Sequence, residues 1–187
     1  MKNQHQEYIS QQEKIWLDEF AKFVTRADTL KIGNGLGHLS ELIRPLTKSL
    51  TIIDTAIFPQ AVNKEAVLMY SGFPIPFADK SFETSIIVFT LHHIPSNREY
   101  FKEILRVTSK RIILIEETYD AIFQKLHIFW RDWIVNRSAE QPCRLYWNSY
   151  FSRKKLDTLI KDSGLKEIYR KTKKHKTYFK ELVILEL

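Results

Sequence analysis

Three glycines stand within five consecutive residues, Gly33-Asn34-Gly35-Leu36-Gly37. The chain has 5 glycines in 187 residues, where average usage would give about 13, so this clustering is not chance placement. Residues without a side chain permit a tight turn and let a ligand approach backbone N–H groups at the start of a helix. The spacing narrows the ligand. A dinucleotide fingerprint needs its third glycine where His38 stands, and a P-loop needs Gly-Lys-Ser/Thr; the pattern here is G-x-G-x-G. Asp54 lies 21 residues beyond Gly33, where a carboxylate can accept both hydroxyls of a ribose. Loop and acid together point to a nucleoside ligand, with a plain strand-end aspartate as the simpler alternative for Asp54.

Other groups could move protons. His92 and His93 follow one apolar segment, and Glu116 and Glu117 follow another. Either histidine could serve as a general base, His93 being the candidate, or could simply hold a loop. The lone Cys143 cannot form an internal disulfide, and no His/Cys/Asp cluster has metal-ligand spacing, so no metal is expected.

The elements that would position these groups alternate. An amphipathic helix is expected over about 5–26, through Tyr8, Ile15, Trp16, Phe20, Phe23 and Val24. Short apolar runs at 29–32, 50–54, 66–70, 85–90 and 111–115 read as strands, those at 50–54 being of the kind buried on both faces. Between them lie helical patterns at 38–44, closed by Pro45, and at 98–107. A second amphipathic helix at 121–137 carries Ile122, Phe123, Leu126, Phe129, Trp130, Trp133 and Ile134. Ser152 caps a helix that Gly164 ends. Strands near 166–172 and 178–187 are joined by a link too short for a parallel crossover, which makes them an antiparallel hairpin. The fold class is therefore α/β: a doubly wound, mostly parallel, Rossmann-like sheet of about seven strands with the last antiparallel. Length gives a single domain, 1–187, with a segment at 118–151 inserted after the fifth strand.

The net charge of +7 is uneven. From Arg153 to Lys180 there are 11 Lys or Arg against 3 acids, a local net of +8. Such a region could meet nucleic acid, an anionic membrane or an acidic substrate, but a solvated face is the favoured reading. Aromatic residues hardly interleave with these lysines, so no stacking platform for bases is indicated. No apolar run has the length of a membrane span, and the polar start Met1–Glu7 has no apolar stretch behind it. A cytoplasmic protein is expected.

Several segments in order resemble the class I S-adenosylmethionine-dependent methyltransferases, particularly their quinone and small-molecule branch. Leu30 to Leu39 looks like the first motif, and Ile75-Pro76-Phe77-Ala78-Asp79-Lys80-Ser81-Phe82-Glu83 like the segment before the fourth strand. Phe89-Thr90-Leu91-His92-His93-Ile94, Glu103 to Val107, and Tyr150 to Leu165 continue the match, which covers about 28–187. The resemblance implies S-adenosylmethionine or S-adenosylhomocysteine as cofactor. Its binding residues would be Ile32, Gly33, Asn34, Gly35, Gly37, Asp54, Thr55, Ser71, Gly72, Phe73, Phe89, Thr90 and Leu91. It also implies in-line methyl transfer to a small acceptor. The 118–151 segment, rich in aromatic residues, would be an acceptor-side lid with the N-terminal helix, suiting a hydrophobic or aromatic acceptor. Two departures stand out: Lys31 occupies a position where the family has an acid, and Tyr70-Ser71-Gly72 lacks the acid often found near the adenine. Lys31 keeps open a catalytically degenerate, methyltransferase-like binding protein. A nucleic-acid methyltransferase is the weaker alternative, since no Asn/Asp-Pro-Pro-Tyr motif is present.

Overall fold

The computed structural model describes residues 14–24, 26–138 and 143–187. A mixed sheet runs in the order β3-β2-β1-β4-β5-β8-β7. Its strands are β1 (Asp28–Ile32), β2 (Ser49–Asp54), β3 (Val67–Met69), β4 (Phe82–Val88), β5 (Thr108–Tyr119), β7 (Lys166–His175) and β8 (Tyr178–Glu186); a two-residue β6 (Phe151–Ser152) pairs with the end of β5. The strands from β3 to β5 are parallel, and β8 enters antiparallel between β5 and β7, as the short link required.

Side chains alternate across each strand, and here both faces are buried. Leu30, Ile32, Ile53, Ile87 and Leu114 meet Tyr100, Phe101 and Ile104 of α3 (Asn97–Val107) and Leu156, Leu159 and Ile160 of α5 (Arg153–Ser163). On the opposite face Ile86, Ile113, Ile115 and Leu182 meet Leu39 and Ile43 of α2 (His38–Ile43) and Trp16, Leu17 and Phe20 of α1 (14–20). The helix expected at 5–26 is thus helical over 14–20 and continues as a 3-10 turn at Ala21–Phe23; Tyr8 and the start of that helix lie outside the described residues. Ser152 caps α5 by accepting from Lys155 N at 3.1 Å, and Gly164 closes it at φ 71°.

Two strands differ from the sequence reading. β4 begins at Phe82 and stops at Val88, leaving Phe89 and Thr90 to a turn. β5 runs seven residues longer than its apolar run because Thr108, Glu116, Glu117 and Thr118, all buried, find partners inside. The larger correction concerns α4 (Ile122–Ser138). The amphipathic helix expected at 121–137 forms, yet Ile122, Phe123, Leu126, Trp130, Trp133 and Ile134 of its apolar stripe are exposed rather than turned toward an acceptor. The helix turns Lys125, Ile128 and Asp132 inward instead, because the ends of β4 and β5 present buried charges that need partners.

Candidate functional site

The strand order reverses between β1 and β4, and the crevice beyond the carboxyl ends of such strands is where open α/β sheets take ligands. A cleft of about 1180 Å³ opens there, somewhat above the roughly 300–1,000 Å³ usual for a ligand pocket. Ile32, Gly33, Asn34, Gly35, Asp54, Thr55, Ser71, Gly72, Phe73, Phe89, Thr90 and His93 line it. Gly37 and Leu91 do not: Gly37 precedes α2, and Leu91 is buried in the core with its N–H on Glu116.

The three loop glycines answer three different needs. A Cβ on Gly33 would stand 2.3 Å from Thr90 Oγ1, and one on Gly37 would stand 2.0 Å from Asn63 Oδ1. Those two allow the chain to pack on itself. Gly35, at φ +57°, would have no atom within 4 Å of its Cβ, so it is the one glycine that leaves open room in the cleft. The Asn34 side chain works inward, donating to Asn63 Oδ1 (3.0 Å) and accepting from Ser40 (2.8 Å), while Asn63 donates to Glu41 (3.0 Å). Asp54 fastens the loop from β2: Oδ2 accepts from Asn34 N at 2.6 Å, and Oδ1 from Thr55 N at 2.7 Å. Lys31, which the family comparison placed in question, is buried, lines the cleft and donates through Nζ to the Gly33 carbonyl.

The other wall is held by buried charge. Phe89 adopts a left-handed backbone (φ 49°) uncommon for a bulky residue, at a cost on the order of 1–3 kcal/mol. Its surroundings fix it: Phe89 N donates to the Ile115 carbonyl (2.8 Å), and Glu116 Oε1 accepts from Thr90 N (3.0 Å) and Leu91 N (2.7 Å). Glu116 Oε2 meets His92 Nδ1 at 2.6 Å, and His92 Nε2 lies 3.7 Å from Asp132 of α4. Burial pulls the His92 imidazole down, but Glu116, aided by Asp132 and Glu117, outweighs it and raises His92 to about 9. His93 goes the other way, driven down to about 3 by burial and by the neighbouring His92 charge. Glu117 holds Arg131, whose Nη1 is 2.6 Å from Oε1, and lies 3.8 Å from Lys180 Nζ. Burial lowers Lys180. Both glutamates are thus engaged in holding structure rather than standing open as bases.

Arg131, Asp132, Asn136, Arg144 and Lys180 also line the cleft. Sequence reasoning missed them: charges on an amphipathic helix, such as Arg131 and Asp132, ordinarily belong to its solvent face, and Arg144 and Lys180 reach the cleft from the segment after α4 and from β8. Of the aromatic residues in the 118–151 segment expected to face the acceptor, Tyr146 lines the cleft; Tyr150 and Phe151 are buried, and Phe123, Trp130 and Trp133 are exposed. Among the described residues no group of His, Cys, Asp and Glu could hold a metal ion, and no helix is long and apolar enough to cross a membrane.

Residues 30–115 match a family model described as a methyltransferase domain. No curated protein matches the sequence. Among solved structures, the chain is similar to a SAM-dependent methyltransferase from Methanosarcina mazei, at 19% identity and TM-score 0.63, covering 86% of this chain and 92% of that one. A SAM-dependent methyltransferase from Aquifex aeolicus gives 14% identity and TM-score 0.63, with 94% and 89% covered. The magnesium protoporphyrin IX methyltransferase of Synechocystis, solved with bound SAH, gives 12% and 0.68, with 95% and 82% covered. At these identities the likeness is one of fold.

Proposed function

We propose that the cleft at the β1–β4 reversal is where S-adenosylmethionine sits and where its methyl group is passed to a small acceptor, a reading supported by the match of residues 30–115 to a methyltransferase domain model and by the shared fold. The observation that carries this reading is Gly35: a Cβ there would meet no atom within 4 Å, and it lines the same cleft as Asp54. The cofactor supplies a methyl group on a sulfonium, a good leaving group, so positioning can provide most of the rate and a strong base is optional.

Each part of the chain then has a task. The backbone at Gly33–Gly35 forms the floor, and Asp54 offers its carboxylate to the ribose hydroxyls. Ser71, Gly72 and Phe73 serve the adenine end, with Thr55 beside them, while Phe89 and Thr90 shape the wall nearest the transferred group. The segment 118–151 acts as the acceptor-side cover, through the inward face of α4 and through Arg144 and Tyr146. His93 Nδ1 lies 3.4 Å from the Arg144 carbonyl; with the proton there, Nε2 is left to accept from an acceptor group. A histidine driven down to about 3 orients a proton better than it removes one. This favours an acceptor that is already nucleophilic. The sequence reading of a hydrophobic or aromatic acceptor needs one refinement: a polar reactive head fits the Arg131, Asp132, Asn136, Arg144 and Lys180 lining better than a wholly apolar molecule.

Lys31 supports a second reading, a binding protein without turnover. Its buried ammonium would disfavour a cationic cofactor relative to the neutral-sulfur product. The test of the site is Asp54→Ala, titrated calorimetrically with S-adenosylhomocysteine. Charge-assisted hydrogen bonds contribute about 1.5–3 kcal/mol, so affinity falls at least ~10-fold. A change under twofold in a folded variant would place the ribose elsewhere.

A further inference from the structure

The exposed stripe of α4 has no role in the cleft. Ile122, Phe123, Leu126, Trp130, Trp133 and Ile134 recur at helical spacing and are 42–63% exposed, an apolar strip about 18 Å long at 1.5 Å per residue. The Trp130 and Trp133 rings stack at 5.1 Å, and the Arg137 guanidinium lies 5.5 Å above Trp133. Among the described residues, none covers the strip.

Among the described residues, the exposed charge on α4 itself is cationic. The single acid of α4, Asp132, is buried and engaged by Arg131 and Tyr150, so the outer face shows none. Asp120, just before the helix, lies 3.5 Å from Arg153. The β7–β8 turn is tied to the helix by His127 Nδ1 and Thr177 Oγ1 at 2.5 Å, and it brings exposed Lys174 and Lys176 alongside. An apolar strip with paired tryptophans and a cationic rim is the chemistry that settles into the headgroup region of an anionic bilayer. A second copy laid on the same strip would bring two cationic rims together.

We propose that the outward face of α4, with the cationic β7–β8 turn beside it, docks the protein on an anionic membrane surface. The helix lies in the interface and does not span it. Its inner face lines the cleft through Arg131, Asp132, Val135 and Asn136, so docking holds the cleft one helix width from the lipid.

The test uses the full chain with vesicles of phosphatidylglycerol and phosphatidylcholine at about 1:1, and with phosphatidylcholine alone. Co-sedimentation with the anionic vesicles, weakening as salt rises, together with a blue shift of tryptophan emission, is the expected result. The W130S/W133S double variant, both positions being exposed, keeps its circular dichroism and loses vesicle affinity at least ~10-fold. K174E/K176E loses affinity for the anionic vesicles and not for the neutral ones. No vesicle binding, equal binding to both compositions, or a wild-type dimer that W130S/W133S dissolves without any vesicle binding would each overturn the proposal. Because S-adenosylhomocysteine binding is measured separately, failure here leaves the cleft assignment standing.

Discussion

Replacing Glu116 by glutamine removes one negative charge from the least exposed part of the site. Glu116 is fully buried and holds three groups at once: Thr90 N, Leu91 N and, at 2.6 Å, His92 Nδ1. The rise of His92 from 6.5 to about 9 corresponds to roughly 3 kcal/mol favouring the imidazolium, at 1.36 kcal/mol per pKa unit. Asp132, 3.7 Å from Nε2, retains part of this, so the substitution is expected to cost about 1.5–3 kcal/mol. The sign fixes the pH window. A raised folded-state pKa gives stability that is fully present below 6.5 and lost as pH rises through about 9. Wild type and Glu116→Gln should therefore differ most in urea unfolding at pH near 6, and the charge-dependent gap should close near pH 10. Proton NMR of the His92 ring should show its pKa lower by at least ~1 unit in the variant. An unchanged His92 titration, or a stability gap independent of pH, would refute the claim that this buried pair fixes the turn after β4.

Lys31→Glu should tighten S-adenosylmethionine more than S-adenosylhomocysteine in calorimetry, by about 1–2 kcal/mol after screening; Lys31→Gln should move the ratio the same way by less, and equal effects on both ligands would contradict it. At about 0.15 M salt the protein should bind neither RNA nor duplex DNA in a gel-shift assay, because Arg153, Arg170, Lys171 and Lys180 of the basic region already face Glu181, Glu19 and Glu117; a salt-resistant, sequence-selective complex would contradict it.

Much of the fold was legible because its signals are local. Ser152 and Gly164 delimit α5 by capping chemistry, the β7–β8 link is too short for a crossover, and the glycine cluster sits between a strand and a helix. The ends of β4 and β5 were less legible, since the residues that extend β5 are polar and are buried only because partners from α3, α4 and the turn after β4 reach them. The direction in which α4 turns its apolar stripe was not legible for a related reason. Periodicity identifies a stripe but not the side to which it turns, and here the competing demand comes from His92, Glu117 and Tyr150, distant in sequence. The separate purposes of Gly33, Gly35 and Gly37 likewise depend on Thr90 and Asn63, which spacing within the motif does not reveal.

The central claim is that the cleft beside Gly35 and Asp54 takes the nucleoside cofactor. The most direct measurement is a calorimetric titration of the wild-type chain and of Gly35→Val with S-adenosylhomocysteine. Wild type should bind one equivalent, and Gly35→Val, folded by circular dichroism, should not bind, because at φ +57° a β-branched residue strains the loop and its side chain fills the open room beside it. Absence of binding to the wild type, or equal affinity in the two proteins, would contradict the account.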